Sequence, residues 1–312
     1  LHRLIRRQRQ MCIRDRLNAA RQAFDKQQWS QASSLFERLY TDDQTPQLNH
    51  KVVASLYYDQ QYLKAEQLAA EQDGSYLDSE ADFQLRLDVA LENQQFIFAR
   101  EFCMLPAAKP WRQSGLAQIT QAETRSQSRL EEKQRIVAKQ FYHLGDVSFL
   151  EQRQRLEQAR QLPLDLFMQG VQYLLVDPFL HPLMRATLLE ELLRLRVTAT
   201  VKLHWLDDQV HTLKTQDLRP VNASRAAAAI QTYLQGQLGQ QDPILAANLQ
   251  QTVTLQLMML YPFIDRVITY PQAWVQLAGD LPVTGTVSDE QLAQIRDWQA
   301  RLNKYLSALL GE

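Results

Sequence analysis

Three short segments in the first hundred residues keep one spacing: Trp29-Ser30-Gln31-Ala32, Tyr62-Leu63-Lys64-Ala65 and Phe96-Ile97-Phe98-Ala99. In each, an aromatic residue stands three places before an alanine, and the alanines fall 33 and then 34 residues apart. A polar pair precedes every aromatic: Gln27-Gln28, Gln60-Gln61 and Gln94-Gln95. Each alanine opens a helical stripe, such as Leu35, Phe36 and Leu39 after Ala32. A period of this length marks stacked supersecondary units. A small residue once per unit is what the close approach of two helix backbones needs. The spacing therefore predicts a repeated helical unit, with a helix running on from each alanine.

Composition agrees with helix. Glycine is scarce, at 9 of 312 residues, which disfavours phosphate-cradling loops and a turn-rich β fold. Glutamine is abundant, at 42, and its unbranched side chain suits an uncharged helix surface.

After the repeats, Pro106, Pro110 and Gly115 break the pattern. Leu116–Leu144 reads as one long helix with Leu130, Val137, Phe141 and Leu144 on a stripe. Gly145-Asp146 ends it, and helices follow near 149–162, 164–176 and 182–196, with Pro163 and Pro182 at first turns where a missing N–H is harmless. Thr198–Trp205 and Gln209–Thr215 alternate like strands, with Asp207-Asp208 between them, so a β-hairpin is expected with Val201, Leu203 and Trp205 on its buried face. Helices resume at 223–239, 243–261, about 271–279 and 288–310, the last opened by the capping box Ser288-Asp289-Glu290-Gln291.

The repeated segments resemble the tetratricopeptide repeat, a helix–turn–helix of about 34 residues in which a turn aromatic and a small residue lock the second helix on the first. The resemblance implies a tetratricopeptide-like solenoid of helical hairpins, so that with the elements read above a mostly α chain is expected, the solenoid followed by a helical C-terminal region carrying one β-hairpin. The resemblance covers about residues 17–105 and would place Ala19, Ala20 and Ala23 in the first leading helix and Val52, Val53 and Leu56 in the second; with the breaks and alternation above, repeats are expected over 17–115, a helical continuation over 116–196 and a hairpin-containing region over 197–312. Trp29, Ala32, Tyr62, Ala65, Phe96 and Ala99 would be the repeat-packing residues. The order of elements, with His181-Pro182-Leu183 and Asp242-Pro243 leading to Leu260-Tyr261-Pro262-Phe263, is also similar to cytoplasmic tetratricopeptide-containing proteins of lactobacilli and related low-GC Gram-positive bacteria, whose biochemical role is uncharacterised.

Charge is uneven. The formal net charge is −1, yet residues 1–16 hold six arginines against one aspartate, so 17–312 is mildly acidic and has no electrostatic reason to seek nucleic acid or an anionic membrane. Met11-Cys12-Ile13-Arg14-Asp15-Arg16 resembles translated sequencing adapter, and Leu1–Arg16 is expected to be a non-native leader. Cys103 then stands alone, leaving no internal disulfide, and no apolar run reaches the roughly 18 residues that cross a bilayer. A cytoplasmic location is expected.

Catalytic motifs are missing from the sequence. There is no Gly-x-Ser-x-Gly, no phosphate loop and no Gly-x-Gly-x-x-Gly, so the chain is expected not to be an enzyme and to need no cofactor. Cys103 reads as an inert buried thiol, and His50, His143 and His181 as structural. If Asp207-Asp208 is a two-residue turn, His204 and His211 face each other across the hairpin; two ligands are too few for zinc, and no metal is assigned.

What remains is a groove. Leading helices of stacked hairpins line a surface that can hold an extended peptide, and here Arg21, Asp25, Lys51, Ser55 and Tyr58 are the candidates. Peptide-carboxylate clamps of the tetratricopeptide family would need more basic residues than Arg21 and Lys51, because the other clamp positions hold Leu17, Ala81 and Leu85. The leading expectation is a protein-interaction scaffold for a protein or peptide segment. Two alternatives stand beside it: a peptide-sensing regulator lacking its N-terminal effector domain, and a hairpin-centred metal protein or enzyme.

Overall fold

The computed structural model describes residues 2–310, with side chains described for 14–307 and 309. The fold is mostly α-helical, with one two-stranded antiparallel hairpin. Two compact units divide the chain: Leu1–Glu131 with Arg160–Leu164, and Glu132–Ala159 with Asp165–Glu312. The first body thus continues past residue 115, where the repeats were expected to end. Most side chains of the expected leader Leu1–Arg16 lie outside the described residues, and its backbone runs on from His2 as part of the first helix.

In the first unit, α1 (His2–Asp25), α2 (Trp29–Asp42), α3 (Pro46–Tyr58), α4 (Tyr62–Ala69), α5 (Glu80–Glu92) and α6 (Phe96–Met104) form three helical pairs. One turn is used three times. Gln27, Gln60 and Gln94 adopt left-handed backbone, at φ 56, 60 and 58°. In each turn the left-handed residue donates three places back and its successor five places back, as in Gln27 N to Phe24 O and Gln28 N to Ala23 O. That is a Schellman stop, which satisfies helix-end carbonyls before the next helix begins. Ala32, Ala65 and Ala99 are fully buried, as are Val52, Val53 and Leu56, while Ala20 and Ala23 but not Ala19 face the core.

The link from α4 to α5 differs from the others. It is a 3-10 stretch, Ala70–Leu77, kinked at Gln72, and polar side chains fix it. Arg86, 1% exposed, grips Glu66 with two bonds of 2.7 and 2.8 Å and Asp73 with one of 2.7 Å, and its guanidinium lies over the Phe98 ring. Tyr76 donates to Asn49 Oδ1 at 2.6 Å, and Asn49 donates to the Leu68 carbonyl at 2.7 Å. α7 (Arg112–Arg129) closes the unit, with Phe83 stacked between Phe102 and Trp111. Arg160–Leu164 joins it through Arg160 to Glu101, the Ile97 amide to the Arg160 carbonyl, and the Leu164 amide to Glu123.

The long helix expected over Leu116–Leu144 is broken. Leu130 leaves helical geometry at φ −129°, and α8 (Glu131–Tyr142) starts afresh, all but its first residue in the second unit. A continuous apolar stripe cannot reveal a break whose two sides belong to different cores.

The second unit continues with α9 (Phe149–Ala159), α10 (Leu164–Leu174) and α11 (Pro182–Leu195), then β1 (Thr200–His204) and β2 (Val210–Lys214). α11 is buried nearly all round, with charged Arg185 and Glu191 among its buried residues, so it carries little amphipathic signal. Then come α12 (Arg225–Tyr233), α13 (Gly239–Gln241), α14 (Pro243–Leu260), α15 (Ile264–Val267), α16 (Pro271–Ala278) and α17 (Asp289–Leu310). The helix expected over 223–239 contains a π turn, Leu234–Leu238. Gly239 permits it, because a Cβ there would stand 2.7 Å from the Leu234 carbonyl oxygen. The Ser288–Gln291 capping box forms in both directions, at 3.0 and 3.3 Å. Trp274 is wholly buried at the centre of these last helices, its N–H given to Gln256 and its carbonyl taken by Gln299.

The hairpin packs on helices, as an isolated two-stranded ribbon must to persist in water. Val201, Leu203 and Trp205 are buried. His204 N donates to the Leu175 carbonyl, and Arg301 holds the Leu206 carbonyl at 2.6 Å.

Candidate functional site

The candidate groove is built on the first two helical pairs. Arg21, Asp25, Lys51 and Tyr58 are exposed, Tyr58 by 52%. Ser55 is not: it is fully buried and returns its hydroxyl proton to the Lys51 carbonyl at 2.7 Å, so it is removed from the set a ligand can meet. A serine in mid-helix often bonds back to its own preceding turn in this way.

The exposed candidates surround a feature that the spacing alone did not reveal. Phe24, at the end of α1, meets Trp29 edge-on at 5.1 Å and carries the Lys51 ammonium 4.9 Å above its ring. Trp29 stacks on Tyr58 at 4.7 Å; Tyr58 meets Tyr57, and Tyr57 meets Tyr62 at 5.6 Å. Trp29 and Tyr62, expected as packing residues, are therefore half-buried members of an aromatic strip, whereas Phe96 of the third pair is buried. Rings of this kind offer large, stiff contact area at low entropic cost, and their faces attract cations. The adjacent tyrosines Tyr57-Tyr58 at the end of α3 were the signal available in the sequence.

A second cluster joins α3, the 3-10 stretch and the start of α5. His50 lies with Nδ1 2.9 Å from Asp82 Oδ1 and Nε2 2.8 Å from Ser75 Oγ. Ser79 caps α5 through the Asp82 amide and donates its hydroxyl to Asp82 Oδ2 at 2.6 Å. Nothing local in the sequence links these residues; only the repeat register, which makes α3 and α5 neighbours, could have suggested them.

The hairpin register removes the histidine pair. His204 stands opposite Val210, and His211 opposite Leu203, because the loop holds three residues with Asp208 left-handed at φ 59° instead of two. A one-residue slip sends the two imidazoles to opposite faces. His211 instead pairs with Asp207 at 3.0 Å. Burial alone would raise the Asp207 carboxyl, but His211, the Gln209 amide and Arg266 together hold it below the ordinary range. Among the described residues no three His, Cys, Asp or Glu side chains gather as a metal would require.

Burial pushes the Cys103 thiol up to about 12, with Arg100 and Arg112 pulling it back only in part. At neutral pH it is a protonated core residue. The second unit carries an apolar cleft of about 770 Å³ whose lining includes Val221, Ala227, Ala228, Leu257 and Met258, with Glu190 and Gln231 beside them. Among the described residues no helix is long and apolar enough to cross a membrane. No family model matches the chain, and neither curated proteins nor solved structures yield a match.

Proposed function

We propose that this protein is a cytoplasmic interaction scaffold of tetratricopeptide type, whose first two helical pairs hold a peptide segment of a partner protein. The aromatic strip Phe24–Trp29–Tyr58–Tyr57–Tyr62 carries the reading: it is continuous and partly exposed, with the Lys51 ammonium over Phe24 at one end and the carboxylates of Asp88 and Glu92 acting on Tyr57 towards the other. Aromatic anchors with charge of both signs at their edge suit a segment that presents apolar side chains. The three equivalent turns support the repeat assignment, since the two helices of every pair are joined through the same backbone path.

The test is a comparison of retained proteins. Immobilised chain should hold a cellular protein that is lost when Trp29 and Tyr58 are both replaced by alanine. A retained set unchanged by the double replacement, in a protein that still folds, would remove the strip from the reading.

A further inference from the structure

The polar cluster at the end of the second helical pair has an order that hydrogen-bond satisfaction alone does not demand. A hydroxyl, an imidazole and a carboxylate stand in line: Ser75 Oγ to His50 Nε2 at 2.8 Å, and His50 Nδ1 to Asp82 Oδ1 at 2.9 Å. We infer that Ser75 is an activated nucleophile, with His50 as its base and Asp82 as the group that orients the base, and that it takes acyl groups from small esters and passes them to water.

Three observations carry this. The base is held on two sides. Asp82 fixes one ring nitrogen, and is itself fixed by Ser79 at 2.6 Å. The Tyr76 ring lies 4.2 Å from the imidazole and is anchored through its hydroxyl on Asn49. Such support selects the tautomer with Nδ1–H on the carboxylate and leaves the Nε2 lone pair facing the hydroxyl. The site is also reachable. The His50 side chain is 16% exposed and that of Asp82 29%, Ser75 is half-buried, and neighbouring Gly74 is exposed. Finally, Ser75 has a choice of acceptor. Its oxygen lies 2.8 Å from the Gln72 carbonyl as well as from His50, so its proton moves to the imidazole by rotation about one bond.

The chemistry balances with water as the only co-reactant. Ser75 Oγ bonds to the ester carbonyl carbon as its proton passes to His50 Nε2. The alcohol leaves with that proton, breaking the C–O bond. His50 then takes a proton from water, whose oxygen displaces Ser75, and the acid is released with the hydroxyl restored. The open setting favours short acyl chains on good leaving groups.

The experiment uses the full chain with a fluorophosphonate probe and with p-nitrophenyl acetate. Ser75 should be the labelled residue on peptide mapping, and hydrolysis should fall to background in Ser75→Ala and at least 10-fold in His50→Gln. Asp82→Asn keeps an acceptor for the α5 cap, and with folding checked by circular dichroism it should also lose labelling. A folded wild-type protein unlabelled at Ser75, or hydrolysis undiminished in Ser75→Ala, overturns the assignment. Neither result bears on the aromatic strip, whose residues take no part.

Discussion

The two compact units are specified by different kinds of contact. In the first, the stops at Gln27, Gln60 and Gln94 are made of hydrogen bonds that reach five residues or fewer. In the second, the fixing bonds span long stretches of chain. Asp265 accepts from Ser224, Arg225 and Ala226, some 40 residues earlier, and so caps α12. Trp274 depends on Gln256 and Gln299, and Arg301 reaches the Leu206 carbonyl 95 residues away. A repeat writes its geometry locally and again in each copy. A non-repeating helical body writes it in side chains that meet only after folding.

The comparison breaks most sharply at Arg86, a long-range device inside the repeating unit. Arg86→Ala leaves Glu66 buried without its partner and should cost about 3–5 kcal/mol in denaturant unfolding. The double replacement Arg86→Met with Glu66→Leu should recover most of that. In the second unit Gln256→Leu orphans the buried Trp274 N–H and should cost about 1–3 kcal/mol, read by the same measurement.

Asp265→Asn tests a smaller effect with a pH signature. Burial alone would raise this carboxyl, but the Ala226 amide, the Ser224 hydroxyl and the Arg225 amide outweigh it and hold it below the ordinary range. A depressed folded value means its stabilisation is present above the unfolded value of about 4 and is lost as pH falls through the lower folded one. The native protein should therefore lose about 0.5–1 kcal/mol on acidification that Asp265→Asn does not lose, a figure kept small because the group is exposed. Smallest, and opposite in sign, is Gln60→Gly. Left-handed backbone disfavours a side chain, so glycine should raise the stability by about 0.5 kcal/mol, and the same change at Gln27 or Gln94 should match it if the three turns are equivalent.

Legibility followed this division. The 33- and 34-residue spacing led to the helical pairs, and the strand alternation led to the hairpin, because both depend on neighbours in sequence. Its register was missed by one residue, since two adjacent aspartates do not say whether Leu206 belongs to the strand or to the loop. The break at Leu130 and the π turn at Leu234–Leu238 sit inside unbroken apolar patterns and gave no sign. Of the groove candidates, Ser55 was misplaced because helical periodicity does not tell the groove face from the flank next to it. The Ser75–His50–Asp82 line was invisible for a different reason: its members come from three elements and share no motif.

The guanidinium of Arg86 gathers carboxylates from α4 and from the 3-10 stretch while itself belonging to α5. To peel the third pair from the second, the chain must break three charge-assisted bonds together. These two pairs should therefore open together. A stack of repeats would ordinarily fray one layer at a time; this one carries a rivet.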